Sequence, residues 1–166
     1  MRIKVIVLVA ASLLTTAAPA SEACGDKALR VGRGARFQRT AHPASILIYV
    51  SPNASPDALS KAPRLQSFLK KAGHRSHVVQ GEERLGEALG SGQYDLVLSN
   101  LHEAAGLQSR LAEAPSHPAL VPLIFKATKE EVVAAQRQYR HLVRDVSSGD
   151  DYLEAIEAAM KARSHA

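Results

Sequence analysis

Tryptophan is absent from this 166-residue chain, and three Phe and four Tyr bring the aromatic share to 4%. So few rings argue against a single-strand nucleic-acid binder, which stacks successive bases on aromatic platforms. There is one cysteine, Cys24, so no intramolecular disulfide and no cysteine-rich metal site can form. No apolar run approaches the ~20 residues needed to cross a hydrocarbon core as a helix, so a transmembrane helix is not expected. Hydrophobic residues at 46% and charged residues at 22%, with ten Gly and eight Pro, exclude a collagen-like, coiled-coil or wholly disordered chain. Neither an internal repeat nor a low-complexity tract is present.

The first residues carry a different signal. Arg2 and Lys4 precede an apolar stretch from Val5 to Leu14, and Ala18 and Ala20 then form an A-x-A exit. That order of charge, apolar run and small residues is the pattern of a secretory signal peptide over 1–20. The chain is expected to be exported, to a periplasm or the exterior. The remainder fits a single domain of ~100–200 residues. Cys24 is then free, modified or paired with another chain. Lipid anchoring through Cys24 is the less favoured alternative, because Glu22 and the missing Leu depart from a lipobox.

The formal charge of +5 is local. From Ile46 to Ala166, fourteen Lys and Arg balance fourteen Asp and Glu. In 21–45, Lys27, Arg30, Arg33, Arg36 and Arg39 face only Glu22 and Asp26. Gly25, Gly32 and Gly34 oppose a stable helix there, so 21–45 reads as a basic flexible arm. Arg30, Arg33, Arg36 and Arg39 are candidate contacts to a partner protein or an acidic envelope surface; a solvated tail is the bland reading. Gly32-Arg33-Gly34 lacks a third glycine and precedes the first strand, so no dinucleotide site is indicated.

The domain proper begins at Ile46. Ile46–Val50 is a compact β-rich run suited to a strand buried on both faces. Ser51 to Pro63 carries three prolines and reads as loop, after which Leu65, Phe68, Leu69 and Ala72 mark an amphipathic helix stopped by Gly73. Strands follow at His77–Val79, Tyr94–Leu98, Leu120–Phe125 and His141–Val143. Helices are expected at Glu82–Leu89, through Leu107 and Leu111, at Lys129–Tyr139 with Val132 and Val133 inward, and at Asp150–Lys161. Strands alternating with helices predict an α/β fold with a parallel sheet covered on both sides.

The strings Tyr94-Asp95-Leu96-Val97-Leu98-Ser99-Asn100-Leu101 and Pro122-Leu123-Ile124-Phe125-Lys126-Ala127 carry a resemblance. With the five β-α alternations over 46–163, they resemble the third and fourth strands of the receiver domain of two-component response regulators. The resemblance implies a flavodoxin-like three-layer α/β/α sandwich with five parallel strands in the order 2-1-3-4-5, followed by a tail at 164–166. It also implies where a receiver's chemistry would sit. The phosphoacceptor Asp position holds Asn100, the acidic pair after the first strand is replaced by Val50 and Ser51, the Thr/Ser position holds Ala127, and the Lys position holds Arg144. Mg²⁺ needs carboxylate ligands, and an amide cannot form an acyl phosphate. The resemblance is therefore to a degenerate pseudo-receiver, with no metal and no cofactor expected. By the same resemblance, Lys129–Tyr139 and Asp150–Lys161 are candidate faces for a partner or a second copy of the chain.

Other constellations are weaker. His74 and His77 form an H-x-x-H pair without accompanying ligands and read as surface histidines. Ser99 and His102 lie at the expected C-terminal edge of the sheet, where open α/β folds bind ligands. A nucleophile elbow is missing, so hydrolysis there has little support. Three readings follow: a non-enzymatic exported interaction module, a small-ligand binder related to one lobe of a periplasmic solute-binding protein, and, least favoured, a hydrolase at Ser99/His102 or a redox protein using Cys24.

Overall fold

The computed structural model describes residues 40–144 and 146–165. The signal peptide, Cys24 and the four arginines of the basic arm lie outside the described residues. Four strands, β1 (Ser45–Val50), β2 (Arg75–Gln80), β3 (Leu96–Asn100) and β4 (Ala119–Leu123), form one parallel sheet in the order β2-β1-β3-β4. Five helices connect and follow them: α1 (Pro56–Lys71), α2 (Glu82–Ser91), α3 (Leu101–Glu113), α4 (Lys129–Gln138) and α5 (Gly149–Ser164). Among the described residues no helix is long and apolar enough to cross a membrane.

Strand alternation divides the core between the two faces of the sheet. Ile46, Ile48 and Val50 of β1 join Leu96, Leu98, Val121 and Leu123, and pack on Leu65 and Leu69 of α1 and Tyr152 and Ile156 of α5. Leu47 and Tyr49 point the other way with Val97, against Leu85 and Leu89 of α2 and Leu107 and Leu111 of α3. Both faces of β1 are covered, which explains its unbroken apolar run. A smaller cluster of Ala104, Ala135 and Tyr139 fastens α4 to α3.

Three expectations need correction. Residues 51–63 are mostly helix: Ser55 caps α1 by accepting from the Ala58 N–H, and Pro56 opens it. A first-turn proline has no intrahelical hydrogen bond to lose, and its φ is already helical; Pro63 is carried inside the helix. The third strand, expected over Tyr94–Leu98, runs on through Ser99 and Asn100, with Ser99 fully buried. Val133 is 47% exposed, and α4 turns Ala135 inward in its place.

The fifth strand is the largest correction. It is reduced to a single parallel bridge between Leu123 and Val143, in which the Val143 N–H donates to the Pro122 carbonyl (2.9 Å) and the Ile124 N–H to the Val143 carbonyl (3.0 Å). In a parallel ladder the next rung towards the strand starts would need the backbone N–H of residue 122 to donate to His141. Residue 122 is proline and has no such donor. The sheet therefore has four strands, and β4 is closed at its outer edge by one rung.

Candidate functional site

The C-terminal edge of the sheet was the first place where chemistry was expected. Ser51 is buried; its carbonyl accepts from the Ala54 N–H (3.0 Å) and its Oγ from the Asn53 N–H (3.4 Å). Asn100 is the N-cap of α3, its Oδ1 accepting from the His102 N–H at 3.2 Å. An N-cap satisfies one of the free amides of the first helical turn, which gives Asn100 a structural occupation. The Ser99 hydroxyl donates to the Asn100 carbonyl at 3.3 Å and is shut off from solvent, while the His102 side chain is exposed. Ser99 and His102 are thus not brought together as a nucleophile and base. Ala127 is half-buried just ahead of Thr128, the N-cap of α4, and contributes no hydroxyl. Among the described residues no group of three or more His, Cys, Asp or Glu is placed to hold a metal ion.

Arg144 lies elsewhere. It lines a cleft of about 240 Å³ between the C-terminal end of α4 and α5, together with Gln136, Arg140, His141, Asp151 and Glu154. The floor is the same segment whose strand is cut to one rung. Its position follows from the two helix ends: Tyr139 is buried as the C-cap of α4, and Ser148 caps α5 by accepting from the Asp151 N–H at 3.3 Å. Only a short connection remains to span the end of the sheet.

The cleft has an ordered electrostatic character. Among the described residues neither Arg140 nor Arg144 is paired with a carboxylate. Both are exposed, as is Glu154 on the α5 wall. His141 Nε2 is buried without a hydrogen-bond partner. Burial, reinforced by the Arg140 cation, lowers the His141 pKa and favours the neutral ring. Two guanidinium groups from the connecting segment and two carboxylates from α5 therefore line one cleft.

Sequence reasoning flagged both helices as candidate contact faces but missed Arg140 and His141, which were absorbed into an expected strand and its approach. A second histidine reading is also corrected. His74 is buried, with Nδ1 accepting from the Ala44 N–H at 3.2 Å, whereas His77 is exposed and packs edge-to-face on Tyr94. The spacing of the pair could not distinguish them, because His74 falls in the turn after α1, where chain direction decides burial.

No family model, no curated protein and no solved structure matches the chain.

Proposed function

We propose that this chain is an exported, non-catalytic recognition module built on a degenerate receiver-like, flavodoxin-like domain, and that it meets its partner through the α4–α5 face. The observation that carries the reading is the cleft between these helices, where Arg140, Arg144 and Glu154, none of them in an ion pair among the described residues, line one hollow. The position where a receiver would bind metal and phosphate supports the same reading, since Ser51 and Asn100 are spent on loop and helix-cap hydrogen bonds. The basic arm of Arg30, Arg33, Arg36 and Arg39 adds a second, electrostatic contact to an acidic protein or envelope surface.

A photo-crosslinking amino acid placed at Gln136 or Ala158, in the native exporting cell, tests this face. A discrete adduct from these positions, absent when the crosslinker is at Gly86 on α2, is expected. Equal labelling from all three positions, or none from the α4–α5 pair, would overturn the reading.

A smaller occupant is the second reading, favoured by the size of the cleft. At about 240 Å³ it lies just under the ~300 Å³ at which ordinary small-molecule pockets begin.

A further inference from the structure

The α4–α5 cleft combines three properties that narrow what can occupy it. Its charges are of both signs and segregated: Arg140 and Arg144 belong to the connecting segment, Asp151 and Glu154 to α5. A simple anion such as phosphate would gain from the guanidinium groups but lose against the carboxylates, and a simple cation would meet the reverse. A molecule carrying one charge of each sign gains on both walls. The volume of about 240 Å³ admits a molecule no larger than an amino acid or a small dipeptide, and Leu142 and the His141 ring line it beside the charged residues.

The buried Nε2 of His141 adds a polar group that wants a partner. Leaving such a nitrogen unsatisfied costs about 1–3 kcal/mol in general. Arg140 and Arg144 are each free to make charge-assisted hydrogen bonds to a carboxylate, and a guanidinium is suited to do so with both oxygens at once. Glu154, unpaired among the described residues, is available to an ammonium group.

We propose that the α4–α5 cleft binds a small zwitterion of the amino-acid or dipeptide class, its carboxylate held by Arg140 and Arg144 and its ammonium by Glu154. This rests on the α4–α5 face being the recognition surface. The segregated charges set the orientation of the ligand, and because polar groups dominate the lining of this cleft, the charged backbone groups of the ligand, more than any side chain, are what is read.

The test is a titration of the full exported chain, labelled with ¹⁵N, followed by amide chemical shifts. Glycylglycine is the probe, with N-acetylglycine and ethanolamine as singly charged controls. Saturable shifts confined to 136–144 and 151–158, with neither control saturating at the same concentration, are expected. Arg140→Gln and Glu154→Gln should each weaken binding by about tenfold, the effect of losing one charge-assisted hydrogen bond. Both positions are exposed, so the variants keep the fold, and an unchanged amide spectrum away from the cleft checks that. No saturable response to glycylglycine at millimolar concentration, or an equal response to N-acetylglycine, would overturn the proposal. If that happens while a crosslinker at Gln136 still gives its discrete adduct, the zwitterion fails and the recognition face stands. If both fail, the reading of the face itself falls.

Discussion

His42, three residues ahead of β1, pairs through Nδ1 with Oε1 of Glu157 near the middle of α5. Thr40 donates to the other carboxylate oxygen at 3.0 Å, and the Thr40 N–H reaches the Ala72 carbonyl at 3.3 Å. The entry segment is thus strapped between the C-terminal end of α1 and the middle of α5 before the chain turns into the sheet. Glu157 thereby ties the entry segment to α5, one wall of the cleft.

Glu157 should reveal this strap in acid. Burial alone would raise its carboxyl pKa, but hydrogen bonds from His42 and Thr40 and the nearby His42 and His74 outweigh burial and hold it below its ordinary 4.5. A carboxyl with a lowered folded pKa stabilises the fold above its unfolded pKa, and the contribution disappears as pH falls through the folded value. With 44% and 39% of the two side chains exposed, solvent screening reduces the pair to about 0.5 kcal/mol. Urea unfolding of Glu157→Gln should therefore show a small loss at neutral pH that shrinks towards zero below pH 4.5. A difference independent of pH would show that the strap is not electrostatic.

His74 makes the opposite kind of demand. Burial, only partly offset by Glu157, pushes the imidazole pKa below 6.5. The neutral ring is needed because Nδ1 accepts the Ala44 N–H. The unfolded chain therefore takes up the proton first, so stability is full above pH 6.5 and declines as pH falls below it. In His74→Asn the amide oxygen can replace Nδ1 as acceptor without titrating. Unfolding midpoints at pH 5.5 and 7.5 should differ less in the variant than in the natural chain; His141, lowered by the same physical cause, keeps some of the slope. An undiminished slope would remove His74 from the account.

Asn100 tests the chemistry of the sheet edge. Asn100→Ala loses the α3 cap and should cost about 1 kcal/mol, whereas Asn100→Asp preserves a capping oxygen beside a helix N-terminus. With Val50 and Ser51 supplying no carboxylate for Mg²⁺, neither the natural chain nor Asn100→Asp should gain mass on incubation with acetyl phosphate and Mg²⁺. An adduct of about 80 Da, the mass of one phosphoryl group, that hydroxylamine removes would contradict this.

Four strands and the helices, apart from the proline-bearing first half of α1, are legible in the residues because their signals are local. Ile46–Val50 has the unbroken apolar run of a doubly covered strand, and Leu65, Phe68 and Leu69 repeat at helical spacing. Ser148 is recognisable as a cap for the same reason. Local signals failed where a second segment decided the outcome. His141–Val143 has the composition of a strand, but its ladder depended on a donor that Pro122, some twenty positions earlier, does not have. Val133 and Ala135 are both apolar, and only the placement of α4 against Ala104 chose which one turned inward.

That Val50, Ser51 and Asn100 carry no carboxylate is likewise visible in the residues themselves. That Asn100 is used as a helix cap, that His74 is buried while His77 is not, and that Arg140, Arg144 and Glu154 share one cleft were settled only when distant segments packed together. Spacing along a chain records what each segment can become. Burial, pairing and the meeting of charges belong to pairs of segments, and those are chosen by the packing of the whole domain.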